Sequence, residues 1–189
     1  MGNTRHGRKR ILLTGSCEYE LQGLSRLLAG MGHETVREEA SPSGACDLIL
    51  VALSAEPLIG WGRHLQGIRM RYAAMPLPMV VLVPERLKGM RLLRGMAQVI
   101  SGRECLAQLE GKLQLILNGR GCSVNKSDEC CCWLQAMRYL RQTSVFKTPL
   151  KTSSHGEYYR RARLVKYVGV DHLHVLRLSG LLSYMTDWS

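Results

Sequence analysis

The chain has 189 residues, with 26 Lys and Arg against 15 Asp and Glu, a formal charge of +11. That length suits one large domain or two small ones, and 46% apolar with 22% charged residues is globular composition that excludes a disordered chain. No apolar run approaches the roughly 18 residues of a membrane span, and a surplus of positive charge points to nucleic acid or an anionic surface as partner.

Residues 1–10 form a basic tail carrying Arg5, Arg8, Lys9 and Arg10. The apolar stretch that follows, Ile11–Leu13, is too short for the core of a secretory signal, and His6 stands where a myristoylation motif wants Ser or Thr. Seven cysteines, three of them adjacent at Cys130–Cys132, are not a secreted disulfide framework, so the expectation is a reduced, cytosolic protein.

In chain order, Ile11–Leu13 reads as a short buried strand. Glu18–Met31 places Leu21, Leu24, Leu27 and Leu28 at helical spacing and closes on Gly30 and Gly32. Glu34–Arg37 is a second strand, and the continuous apolar run Asp47–Leu53 predicts a strand covered on both faces. Ile59–Ala74 is expected to be helical, Pro78–Val83 a buried strand, Arg86–Arg94 a short helix and Ala97–Ile100 a fifth strand. Glu104–Asn118 is a helix with Leu106, Leu109, Leu113 and Leu117 on one stripe. Five strands alternating with five helices over residues 11–118 imply an α/β domain, a doubly wound parallel five-stranded sheet of the receiver or flavodoxin kind.

Residues 119–126 read as a linker, after which the pattern of 127–189 is all-α. Ser127, followed by Asp128 and Glu129, suits a helix start, with Trp133, Met137 and Leu140 as the apolar stripe. Ser144–Lys151 is a shorter helix carrying Phe146 and Leu150. Ser153–Gly156 is a turn into a third helix, Glu157–Val168, closed by Gly169. Asp171 caps a fourth, with Leu173, Leu176 and Leu178 apolar.

The segment Tyr158–Lys166 reads YYRRARLVK. With Ala162, Val165 and Val168 inward beside Leu164, the residues Tyr159, Arg160, Arg163 and Lys166 face out. Such a helix fits a major groove, supplying phosphate-neutralising charge and donors to base edges. The plain alternative is the solvated face of a small bundle. A helix, a shorter helix, a turn and then a basic helix together describe a helix-turn-helix unit whose third helix is the recognition helix.

On these residues, positions 124 to 182 resemble the LuxR/FixJ-type DNA-binding domain, a four-helix helix-turn-helix module. Ser153 takes the place of the Ser at the start of that family's recognition helix, and Lys166-Tyr167-Val168-Gly169-Val170 matches its closing Lys-Leu-Gly-Val. His155 and Gly156 stand where Lys and Thr are usual, and Glu157 where an apolar residue is usual. Asp171–Leu182 resembles the fourth helix, which commonly pairs protomers. The resemblance implies DNA contacts from Ser154, His155, Tyr159, Arg160, Arg163 and Lys166, and helix pairing through Leu173, Leu176 and Leu178.

A five-stranded α/β domain ahead of such a module resembles a response-regulator receiver. Receivers hold Mg²⁺ with an acidic pair after strand 1, because a hard cation wants carboxylate oxygens, and carry a phosphoacceptor Asp at the end of strand 3. Here Thr14-Gly15-Ser16 follows strand 1, and the phosphoacceptor position falls at Ala52. Pro84 follows strand 4, and Ser101 lies where a Lys after strand 5 is usual. The combination resembles the atypical, RcsA-like regulators that join an unphosphorylated receiver-like domain to a LuxR-type domain.

Other sites recede on inspection. Adjacent cysteines on a helix point about 100° apart and cannot all chelate one ion. Gly60-Trp61-Gly62 opens like a dinucleotide fingerprint, but Leu65 stands in place of the third Gly. There is no phosphate loop and no nucleophile elbow. The expectation is therefore a transcriptional regulator, not an enzyme, with no cofactor and no metal. It binds double-stranded DNA, pairs with itself or another LuxR-type response regulator, acts without phosphorylation and does not enter a membrane. Two rivals are a co-regulator that reads no DNA and works by heterodimerisation, and a flavodoxin-like enzyme or ligand sensor. The charge is spread as 15 basic and 10 acidic residues over 1–119, and 11 basic and 5 acidic over 120–189.

Overall fold

The computed structural model describes residues 7–38, 45–119, 134–139 and 155–186. Contacts gather the chain into two compact units, one of Met1–Glu56, Met75–Glu85 and Ala97–Ser123, the other of Pro57–Ala74, Arg86–Met96 and Val124–Ser189.

The first unit is built on a sheet of β1 (Arg10–Gly15), β2 (Glu34–Arg37), β3 (Leu48–Ala52), β4 (Met79–Val83) and β5 (Gln98–Ser101). The strands are all parallel, in the order β2-β1-β3-β4-β5. Every residue of β3 and β4 is buried, which explains why their sequences are unbroken apolar runs and do not alternate. On one face, Ile11, Leu13, Leu48, Leu50, Val80, Leu82 and Ile100 pack with Leu21, Leu24 and Leu28 of α1 (Glu18–Gly30) and with Leu113, Ile116 and Leu117. Those last three come from α3 (Leu106–Leu117). Glu18 and Glu20 lie in the first turn of α1, where carboxylates complement the helix dipole. Gly32, at φ +85°, ends it by donating to the Ala29 carbonyl.

The second unit contains α2 (Arg63–Ala74), α4 (His155–Val168), α5 (Leu173–Leu178) and α6 (Leu181–Thr186), with residues 134–139 also helical. Backbone hydrogen bonds tie its segments together. The Gly60 and Gly62 amides donate to the Leu178 and Ser179 carbonyls at 3.0 and 2.6 Å, and the Arg91 amide to the Val168 carbonyl at 2.8 Å. Trp61, Leu65, Leu87, Leu92, Leu93, Leu164, Leu176 and Leu181 are each almost wholly buried, and burying one leucine contributes about 1.5–3 kcal/mol.

Several local expectations change. Helix α2 starts at Arg63, not Ile59, because Gly60 takes φ +72° and the turn 58–62 presents its amides to Leu178 and Ser179. Arg86–Arg94 is no helix: after a 3-10 turn at Glu85–Leu87 the chain runs in turns past Gly89 and Gly95, the latter at φ +86°. Three α-helices and that 3-10 turn, not five helices, accompany the strands among the described residues. The final helix is two, broken at Ser179-Gly180 with Gly180 at φ +67°, and its cap position is His172 and not Asp171. The expected helix Ser144–Lys151, the helix start at Ser127, Cys130–Cys132 and the turn residues Ser153 and Ser154 lie outside the described residues.

Candidate nucleic-acid interface

Helix α4 sorts its residues by period. Glu157, Arg161, Leu164 and Val168 are buried, at spacings of four, three and four. At about 100° per residue they occupy one side of the helix, and His155, Tyr159, Arg163 and Lys166 fall within an arc of about 80° on the opposite side. His155, Tyr159 and Lys166 are exposed, and Arg163 is half-buried. Ala162, expected inward, is exposed, and Val165 is only half-buried. The inward places go instead to Glu157 and Arg161, which form a buried ion pair of 2.6 Å one helical turn apart. A pair of opposite charges buried together avoids the cost of a lone one.

The outward face is organised. The Arg163 guanidinium donates from Nε to the Tyr159 hydroxyl at 2.7 Å and lies 5.0 Å from the centre of that ring. The hydroxyl contact, first, and the ring's electrostatics hold the Arg163 pKa above its already high ordinary value, so this cation keeps its charge throughout the working pH range. Tyr158 adds a second ring, 68% exposed. Arg160 flanks the face, half-buried, and its Nε makes no hydrogen bond. On the same flank the Tyr167 ring stacks on Tyr139, with centroids 5.4 Å apart, which ties α4 to residues 134–139. The face thus offers fixed positive charge, planar donors and aromatic surface, the groups that meet phosphates and base edges.

Of the leucines expected to pair protomers, Leu176 is fully buried within its own unit, Leu173 is half-buried and Leu178 is 37% exposed. Of the three, Leu178 is the one that presents apolar surface outward.

In the first unit, Ala52 ends β3 with no exposed surface and lies in register with Gly15 and Leu82. A side chain at Gly15 would come within 2.4 Å of the Ala52 carbonyl, so the strand ends are closely packed there. Neighbouring carboxylates are taken up by hydroxyls and a guanidinium. Glu38 accepts from Thr14 at 2.7 Å, Glu20 from the Ser54 hydroxyl and Glu56 from Ser16. Glu18 pairs with Arg37 at 2.5 Å. Among the described residues no three His, Cys, Asp or Glu side chains gather as metal ligands, and no helix is long and apolar enough to cross a membrane.

Close backbone approaches between glycines hold α4 in place. Gly169, at φ +82°, approaches Gly89 so closely that a side chain on either would strike the other's carbonyl oxygen. A side chain on Gly62 would likewise strike the Gly180 carbonyl, whereas one on Gly180 would meet only the Gly60 Cα, at 3.6 Å. The sequence marks Gly169 as a helix end, but nothing in it pairs Gly169 with Gly89 or Gly62 with Gly180.

No protein-family model matches the chain, and no curated protein matches it. Solved structures do. The two-component response regulator RcsB in complex with DNA superposes with a TM-score of 0.56 at 11% identity, over 97% of this chain and 100% of that one. A structure of two RcsB dimers bound to two parallel DNAs gives 0.55 at 12% identity, over the same shares. At such identity the likeness establishes the fold: a parallel sheet of order β2-β1-β3-β4-β5 followed in the chain by a helical region, as in RcsB.

Proposed function

We propose that the chain is a sequence-specific, DNA-binding regulator of transcription, a LuxR-type helix-turn-helix region preceded by a receiver-like domain that works without aspartyl phosphorylation. The sequential division into residues 11–118, a linker at 119–126 and a DNA-binding region at 127–189 belongs to this reading. The observation that carries it is the outward face of α4, where Tyr159, Arg163 and Lys166 line up opposite the buried stripe. Arg163 is the first candidate for a bidentate contact to guanine. Lys166, a point charge, suits phosphate, and His155, Ser154 and Arg160 complete the reading surface. The fold shared with DNA-bound RcsB supports the same assignment. The protein acts as a homodimer or as a heterodimer with a response regulator, with Leu178 the exposed apolar contact beside Leu173 and Leu176.

Independence from phosphate is supported by Ala52, which has no oxygen to accept a phosphoryl group at the end of β3. Selection of sites from random duplexes tests the main reading: enrichment of a motif by the wild type, lost in Arg163→Ala, supports it; equal enrichment by both rejects α4 as the reading surface, and no motif enriched by the wild type, alone or with a partner regulator, overturns the reading. Incubation with acetyl phosphate and Mg²⁺ is expected to leave no acid-labile phosphoprotein; stoichiometric labelling would refute phosphate independence. A second reading, a co-regulator that reads no DNA itself, is favoured by His155-Gly156 opening α4 in place of the usual Lys-Thr. A motif enriched only with a partner regulator present selects it.

A further inference from the structure

Residues 57–74 and 86–96 carry seven basic side chains and not one acidic side chain. Both segments fall in the same compact unit as α4. That unit holds 17 basic against 5 acidic residues, +12, and the other unit 9 against 10, −1, so the second unit accounts for the whole +11 of the chain. Arg63, Arg86, Lys88, Arg91 and Arg94 are exposed. Their position is set by backbone contacts: the Arg91 amide caps the Val168 carbonyl at the C-terminal end of α4, and Gly89 abuts Gly169 just beyond it. The segment 86–96 therefore sets exposed cations at the C-terminal end of α4.

From this we propose a second DNA-contact surface: duplex phosphates flanking the site met by α4 lie on Arg86, Lys88, Arg91 and Arg94. The inference rests on the reading of α4 as duplex-facing. A 14-residue helix is about 21 Å long, short of the about 34 Å of one duplex turn, so cations beyond its end meet the next phosphates along the strand. Six of the seven basic residues in the two segments are arginine, whose planar fork matches phosphate oxygens in pairs. Within the two segments the formal charge is all of one sign, which suits a polyanion.

The test is anisotropy of a fluorescent mixed-sequence duplex three turns long, titrated with the full chain from roughly 50 to 200 mM KCl. Changing Arg86, Lys88, Arg91 and Arg94 together to Gln is expected to make the slope of log K against log salt shallower by about 3.6, near 0.9 per lost phosphate contact. The charge-preserving set Arg86→Lys, Arg91→Lys and Arg94→Lys keeps the wild-type slope. If the combined variant unfolds, Arg86→Gln and Arg94→Gln singly carry the test, each expected to remove about 0.9. An unchanged slope overturns the proposal. So does a loss confined to phosphatidylserine vesicles with duplex binding intact, which would assign the surface to a membrane. A slope that falls as expected while Arg163→Ala leaves sequence selection untouched would keep the phosphate surface and reject the reading of α4. A wild type without duplex affinity rejects both.

Discussion

The Arg161 guanidinium donates to the Glu157 carboxylate at 2.6 Å on the inward side of α4, and both residues are more than nine-tenths buried. An ion pair so placed adds little net stability over an apolar pair of equal volume, but removal of one partner strands a buried charge. Glu157→Gln is expected to destabilise the chain by about 3–5 kcal/mol, and Glu157→Leu combined with Arg161→Met to recover most of that loss. Urea unfolding of the single and double variants measures both; a single variant as stable as wild type would mean that water reaches the pair.

Two glycines of neighbouring position make opposite forecasts. A Cβ on Gly62 would sit 2.7 Å from the Gly180 backbone, whereas one on Gly67 would meet nothing within 4 Å. Gly62→Ala is expected to cost about 1–3 kcal/mol by overpacking, and Gly67→Ala, within α2, to stabilise by about 0.5–1 kcal/mol by lowering the entropy of the unfolded chain. Thermal melts followed by circular dichroism separate the two.

On the outward face, Arg163→Ala is expected to weaken binding to the selected site by about 1–3 kcal/mol while changing binding to scrambled duplex far less. Arg163→Lys keeps the charge but not the fork, so affinity for scrambled duplex returns and discrimination does not. Tyr159→Phe removes the hydroxyl that orients Arg163 and retains the ring, and falls between wild type and Arg163→Ala. Gel shifts at one fixed salt concentration rank the four proteins.

The Glu18 carboxyl titrates below the ordinary glutamate range, first because Arg37 donates to it and second because Gln22 does. A depressed folded pKa places the stabilisation above the unfolded value, and it is lost as the pH falls through the folded one. Arg37→Gln is therefore expected to raise the Glu18 midpoint, and the stability difference between variant and wild type to close in acid. Carboxyl chemical shifts followed through an acid titration check it, and salt should shrink the effect because the pair is exposed.

Much of the sheet was legible because each strand announces itself locally. The runs at 48–52 and 79–83 are apolar throughout, and a strand buried on both faces has no other composition available. The outward residues of α4 were legible for a similar reason, since Leu164 and Val168 fix the phase of the helix. Glu157 and Arg161 were not. Each charge taken alone belongs in water, and only their mutual neutralisation makes burial tolerable. The break at Ser179-Gly180 was also hidden, because Leu176, Leu181 and Leu182 keep an apolar pattern across it and nothing local marks where another backbone will approach.

The sequence by itself determined the parallel α/β pattern, the basic helix and the net positive charge, since composition and period are properties of neighbours along the chain. It divided that charge almost evenly, +5 before residue 120 and +6 from there on. The tertiary structure decided where the charge acts. Close glycine contacts at Gly62 with Gly180 and at Gly89 with Gly169 bring residues 57–74 and 86–96 into one unit with α4, and that unit carries +12. Backbone approach of this kind depends on segments about 80 to 120 residues apart, so no local pattern records it.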